Sequence, residues 1–259
     1  MEAQPLADAP PTAIADERVV EVQGLVKAFG ANAVLNGFNL DLRRGENLMV
    51  LGKSGSGKSV LIKCIVRLLQ ADAGAIKVLG QDVLALDQDA LDHLRVRIGF
   101  LFQSSALYDS MTVEENLEFP LRRHWIARDP KHTDALVEEV LNAVGLPHTR
   151  HMYPSELSGG MKRRIGLART LILKPEIVLY DEPTTGLDPV TGKEIVELIL
   201  QLQRAYNTSS IIISHDLNVA KLAANRIIVL HEGRNHVEGS YDDLRASTDP
   251  VVRSFFIFM

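Results

Sequence analysis

Gly52-Lys53-Ser54-Gly55-Ser56-Gly57-Lys58-Ser59 sets the fold class of this chain. The stretch fits the G-x-x-x-x-G-K-[ST] pattern at every fixed position. In that pattern the glycines let the backbone curl so that successive N–H groups point at phosphate oxygens. The flanks agree. Asn47 to Leu51 is a short apolar strand running into the loop, and Val60 to Leu69 continues as a helix with Leu61, Ile65, Leu68 and Leu69 on one face. Strand, Gly-rich loop and helix in that order are the context the pattern needs, the alternative being a chance Gly-rich turn before a helix. The helix end near Lys58 adds positive character. Such a loop has Lys58 reach the β- and γ-phosphates and the Ser59 hydroxyl ligate Mg²⁺. Gly52 through Ser59, together with Val60, are therefore the candidate nucleotide contacts.

Outward from the loop, Val19 to Val26 alternates loosely as a first strand, and Phe38 to Leu42 alternates strictly as a half-buried one. Ile98 to Phe102 is a short apolar run ending at Gln103. From there to Ser155 the pattern is helical, best over Val113 to Leu121 and Ala135 to Val144, with Gly145-Leu146-Pro147 closing the second segment. Met161 to Leu173 and Val190 to Ala205 read as helices. Ile177 to Tyr180 is a strand too apolar for an edge, Ser210 to Ser214 is a buried strand, and Ile227 to Leu230 and Asn235 to Val237 are the last strands. Alternating strands and helices imply an α/β fold with a largely parallel sheet covered on both faces. The expected spans are a disordered tail at 1–17, one nucleotide-binding domain at 18–239 with a helical subdomain at about 104–157, and a C-terminal helical extension at 240–259. No internal repeat is visible, so one chain carries one nucleotide half-site.

The 259 residues, 46% of them hydrophobic, suffice for a real core, and the formal net charge of -5 gives no general attraction for nucleic acid or anionic lipid. No nucleic-acid partner is expected. The single cysteine, Cys64, excludes an intrachain disulfide and falls in an apolar helix pattern, where a small buried residue belongs. No stretch approaches the ~18 apolar residues of a membrane span, and the Ala- and Pro-rich start lacks the features of a secretory signal. A soluble, cytoplasmic chain is the expectation, with any membrane role arising through a partner.

Two further stretches carry chemistry. Ile177 to Tyr180 ends in Asp181-Glu182, where a carboxylate would face the metal of the phosphate loop, unless one of the pair merely caps the turn at Pro183. Leu157-Ser158-Gly159-Gly160-Met161 offers a hydroxyl and backbone N–H groups at a helix start, a second anion cradle in a chain that already has one. The order phosphate loop, Ser-Gly-Gly element, strand ending in Asp-Glu resembles the ATP-binding cassette (ABC) superfamily from about Val19 to Glu238. That resemblance implies a P-loop NTPase fold with a mainly parallel core sheet, an antiparallel β subdomain and a helical subdomain. It implies ATP and Mg²⁺ as cofactors. Asp181, Ser59 and Gln103 would hold the metal, Glu182 would be the general base, and His215 would be the switch histidine at the γ-phosphate. Phe29 would lie against adenine, though it could equally be core. Asp188, in Thr185-Gly186-Leu187-Asp188, would couple two sites. Ser158, Gly159 and Gly160 would close on the ATP of the opposite subunit in a homodimer. Met161 departs from the more usual glutamine. His148 and His151 flank a turn and read as surface residues.

The interval from Gln103 to Leu157 is short and lacks heptads, which is similar to transporter motors rather than to repair, chromosome or translation ATPases. An integral membrane permease is then the expected partner. Ser59-Val60-Leu61-Ile62-Lys63, Ala106 to Val113, Glu118-Phe119-Pro120-Leu121 and the Met-ended signature are similar to bacterial Mla-type phospholipid transport ATPases. That branch implies an MCE-type lipid-binding subunit, a small cytoplasmic accessory protein, and a place on the cytoplasmic side of the bacterial inner membrane, held there by the permease. Motors of amino-acid or other small-solute importers carry the same core motifs. Arg122, Arg123, Arg128 and Lys131 around Trp125 read either as a solvated basic face or as a contact for permease or lipid headgroups. The apolar end, Phe255 to Met259, reads either as packing on its own domain or as docking on a partner.

Overall fold

The computed structural model describes residues 16–123 and 129–257. Residues 1–15 of the expected tail, Trp125 and Arg128 of the basic patch, and Phe258 and Met259 lie outside the described residues. The chain opens with β1 (Arg18–Phe29) and β2 (Asn32–Arg43), then β3 (Asn47–Leu51), the phosphate loop and α1 (Lys58–Ile65). Next come β4 (Ala73–Val78), β5 (Gln81–Asp82), α2 (Gln88–Val96) and β6 (Ile98–Leu101), followed by α3 (Val113–Arg123), α4 (Pro130–Ala143) and α5 (Gly159–Leu171). The second half runs β7 (Ile177–Asp181), α6 (Pro189–Tyr206), β8 (Ser209–Ser214), α7 (Leu217–Ala223), β9 (Arg226–His231), β10 (Arg234–Gly239), α8 (Tyr241–Ala246) and α9 (Pro250–Phe256).

Two sheets result. One is antiparallel in the order β2-β1-β4-β5; the other has the order β10-β9-β3-β8-β7-β6, parallel from β9 to β6 with β10 as an antiparallel edge. The expected α/β fold, with its parallel core sheet and antiparallel β layer, is the observed one. β3 shows why its sequence is apolar throughout. Met49 and Leu51 enter the core shared with α3 to α6, whereas Leu48 and Val50 enter the core beneath the antiparallel sheet and α1. A strand covered on both faces cannot alternate with polar residues. β1 alternates loosely because its ladder with β2 shifts register between Val22 and Val26, where Gly24 adopts φ 58°.

Two features depart from the sequence expectation. The helix after the phosphate loop ends at Ile65, not Leu69, and Leu68 is 51% exposed rather than on a buried face. Arg67 takes φ 51° there, its guanidinium donating to the carbonyls of Val83 and Leu86 while its own carbonyl accepts from Arg95. These anchors come from a distant segment, so no local stop signal marks the helix end. Strands β4 and β5 and helices α2 and α7 are also invisible to periodicity; β4 earns its strand character by pairing with β1. Cys64 is fully buried, as expected. Phe255 and Phe256 pack against the larger core while Ile257 is exposed, so the described part of the apolar end folds back on its own domain. Arg122 pairs with Glu118, and His151, exposed like His148, lies against Glu114.

Arg226 joins the layers. It lies at the start of β9 and holds the Glu46 carboxylate with two N–H···O contacts of 2.8 and 3.0 Å, reaching Asp41 and Glu238 as well. Glu46 is 3% exposed, so its charge depends on this partner. Arg226→Met is expected to lower unfolding stability by roughly 3 kcal/mol, with Glu46→Gln in the same chain restoring part of it, both read by urea unfolding.

Candidate active site

The phosphate loop leaves β3 at Leu51 and turns through Gly55 at φ 78° and Gly57 at φ 102° before α1 begins. Gly57 caps that helix with no side-chain acceptor, so the first N–H groups of α1 have no side-chain partner at this end and face the loop. The curl leaves no room for side chains. A Cβ on Gly52 would lie 2.5 Å from Ser56 Oγ, and one on Gly57 2.7 Å from Val34 Cγ1. Lys58 is 5% exposed and points back into the curl, donating to the carbonyls of Gly52 at 2.7 Å and Lys53 at 3.1 Å.

Three adjacent strands bring the remaining groups to the same edge. β7 ends at Asp181, whose Oδ1 accepts from Ser59 Oγ at 2.9 Å. Burial pushes the Asp181 carboxyl above its ordinary value, with the Ser59 hydroxyl and nearby lysines opposing. Glu182 follows at φ 49°, a left-handed backbone that turns its side chain away from that of Asp181. Its Oε1 lies 3.3 Å from Lys58 Nζ. Its Oε2 accepts from Ser214 Oγ at 3.2 Å and Thr185 Oγ1 at 3.3 Å, with His215 Nδ1 at 2.9 Å. The two side chains thus diverge, Asp181 toward Ser59 and Glu182 toward Lys58, Ser214 and His215, and Glu182 also accepts from Thr185 in the turn that follows. Glu182 lines a cleft of about 430 Å³ together with Ser54, Gly55, Gly57 to Val60, Gln103, Thr185 and His215; Asp181 lies behind it, in contact through Ser59. Gly52, Lys53 and Ser56 shape the loop without lining the cleft, and the buried Ser56 Oγ has no partner. A Gly-cradled loop and a buried lysine fit a phosphate chain, and the Ser59–Asp181 oxygen pair fits a hard cation such as Mg²⁺. Phe29 does not line the cleft. It stands 49% exposed at the end of β1 with Lys27 Nζ 5.4 Å from its ring, and so is not a core residue.

Ser158, Gly159 and Gly160 lie elsewhere. Ser158 Oγ caps α5, accepting from Met161 N at 3.2 Å, and the three residues line a second cleft of about 500 Å³ with Arg164, Asp188 and Glu194. The two clefts share no lining residue. Asp188 spends its carboxylate on its own helix, accepting from Val190 N, Thr191 N and the Thr191 hydroxyl, and the last of these chiefly holds it below the usual carboxylate range. Thr185 and Ser214, whose hydroxyls donate to Glu182 Oε2, are neighbours that sequence reasoning missed. Only the spacing of Thr185 from Glu182, within reach of one turn, could have signalled the first.

The ABC transporter family profile matches residues 35–185. The chain is 37% identical over 91% of its length to the probable ribonucleotide transport ATP-binding protein mkl of Mycobacterium leprae, and 39% identical over 88% to the methionine import ATP-binding protein MetN of Rhizobium johnstonii. It spans 68% of the first relative and 62% of the second. Among solved structures, the dimeric post-hydrolysis ATP-binding cassette MJ0796 bound to ADP and Pi superposes with a TM-score of 0.78 at 31% identity, covering 86% of this chain and 98% of that one. CbiO1 of Clostridium perfringens, part of the ABC transporter complex cbiONQ, gives 0.82 at 25% identity, covering 94% and 99%. Family profile, relatives and site geometry agree: the chain belongs to the ABC transporter family and is its ATP-hydrolysing, ATP- and Mg²⁺-binding cassette.

Proposed function

We propose that two copies of this chain close around two Mg-ATP and drive phospholipid movement between bacterial membranes through a separate permease. The observation behind the pairing is the separation of the two anion cradles. The cleft of Lys58, Glu182 and His215 and the cleft of Ser158, Gly159 and Gly160 share no residue, so one chain does not use both on one phosphate. A two-fold pair supplies each cleft's complement twice. The dimeric MJ0796 cassette supports that arrangement.

Within one site, the N–H groups of the loop and α1 hold the triphosphate. Lys58 exchanges the carbonyls of Gly52 and Lys53, and Glu182 Oε1, for phosphate oxygens. That exchange frees Glu182 to accept a proton from the attacking water, with Thr185, Ser214 and His215 keeping its other oxygen in place. Ser59, Asp181 and Gln103 would hold Mg²⁺, which would neutralise charge developing on the phosphate. Phe29 would stack on adenine, with Lys27 at its ring adding positive charge there. Asp188, fixed as a helix cap beside Ser158, would carry the contact between the two sites.

The cargo rests on the local stretches around Val60, Tyr108 and Glu118 and on Met161, which resemble the Mla-type branch. They imply the permease, an MCE-type subunit and a small accessory protein, with this chain on the cytoplasmic side of the inner membrane, held there by the permease. A second reading, import of methionine or another small solute, has the likeness to MetN in its favour. Reconstituted with its permease in liposomes, the chain is expected to move labelled phospholipid on ATP addition. Labelled methionine moving instead would overturn the lipid reading.

Glu182→Gln is expected to lower ATP turnover by roughly 10²–10⁴-fold while Mg-ATP still binds, so that a nucleotide-dependent dimer accumulates on a sizing column. Near-normal turnover would reject the base assignment. Asp181→Asn tests the metal role against stability. The Asp181 pKa is raised in the folded state, so its contribution is fully present below the unfolded value and lost as pH rises through the folded one. At neutral pH the carboxylate therefore weakens the empty protein, and Asp181→Asn should leave its Tm unchanged or raise it by up to about 3 °C while Mg²⁺-dependent hydrolysis is lost. A Tm falling in step with activity would point to a structural carboxylate.

A further inference from the structure

Arg163, on the helix α5 that Ser158 caps, is 5% exposed and makes two contacts across the domain. Its Nη1 donates to the carbonyl of Phe102 at 3.1 Å and its Nη2 to the carbonyl of Thr185 at 3.2 Å. Among the described residues no carboxylate pairs with it. Burial draws the guanidinium below its ordinary pKa. An apolar side chain of similar size would avoid that desolvation, so stability alone gives no reason for the arginine.

Its two acceptors stand at chemically important places. The Phe102 carbonyl belongs to the peptide group that enters Gln103. Thr185 donates its hydroxyl to Glu182 Oε2. One planar fork therefore binds a peptide group beside the candidate metal residue and another beside the candidate base, a geometry that a lysine ammonium cannot reproduce. The helix itself has little slack. A Cβ on Gly166 would meet Leu101 and Ser105 at 3.0 Å, and one on Gly160 would meet Thr191 at 2.8 Å. Helix α5 is thus packed tightly against the Gln103 loop at Leu101 and Ser105 and against α6 at Thr191, and its tie to the Glu182 loop is the Arg163 contact with Thr185.

We propose that Arg163 is a positioning residue that locks the loops of Gln103 and Glu182 to the signature helix, so that seating Ser158 to Gly160 on the partner copy's nucleotide is felt at the chain's own base. The second half rests on the paired reading above; the tie to Gln103 and Glu182 does not. The full-length chain with Arg163→Met is expected to lose kcat on the order of 10–100-fold while its Mg-ATP Kd, read by calorimetry, stays within about threefold and its Tm does not fall. Arg163→Lys, which keeps charge but not the fork, should fall between the two and carries the test alone if the Met variant does not fold. A kcat within threefold of the parent in the folded variants would overturn the proposal, as would a joint decline of kcat, binding and Tm, which a structural role alone would give. In a Glu182→Gln background, Arg163→Met should still form the Mg-ATP-dependent dimer. Loss of pairing only in the double variant would assign Arg163 to assembly and overturn the positioning role. If Glu182→Gln alone never pairs, the dimer reading falls and the link to the partner's nucleotide falls with it, while the kcat split still decides the tie to the two loops.

Discussion

The parallel register of β3, β8 and β7 is the constraint on which the site depends. Leu51 pairs with Ser214, and Asp181 pairs with Ile213, so the three strands end at the same edge of the sheet. The chain leaving each end delivers a different reagent: the phosphate loop from β3, Glu182 from β7 and His215 from β8. Parallel strands make this possible because all their carboxyl ends point one way, and the crevice outside those ends is where open α/β sheets bind ligands. Each of the three strands is buried on both faces, which pins their positions by packing on two sides.

Rigidity of that frame explains how charged groups survive inside it. Lys58 and Glu182 are nearly buried, and each is satisfied by the other and by fixed neighbours: two carbonyls for the lysine, two hydroxyls and an imidazole for the glutamate. Glu46 and Arg226 solve the same problem at the opposite end of the sheet, where they join the antiparallel layer to β9. In both places the charge is stable only in company, since an unpaired buried ion costs several kcal/mol. In the proposed cycle, phosphate takes the place of that company at the nucleotide edge.

The second cleft is what the proposed pairing of two copies rests on. Ser158, Gly159 and Gly160, at the capped start of α5, line a hollow beside Asp188 that shares no residue with the first cleft. Helix α5 connects this hollow to the first through Arg163, whose fork reaches both the Gln103 and the Glu182 loops. The proposed coupling between the two cradles runs through these two hydrogen bonds.

The sequence by itself determined the parallel core, the phosphate loop and its lysine and serine, the acidic pair after β7, and the capped helix at Ser158. Each of these is local: an apolar run, a glycine spacing, or a cap next to its helix. Tertiary structure decided the rest. The early stop of α1 depends on Arg67 reaching Val83 and Leu86, the strand character of β4 on its pairing with β1, and the exposure of Phe29 on where β1 ends. The split of Asp181 from Glu182 follows from one left-handed residue that the sequence does not mark, because no glycine stands there. Nothing local marks Arg163, whose two carbonyl partners come from segments 61 and 22 residues away in the chain. Local spacing encodes which groups are present; long-range packing sets which of them meet.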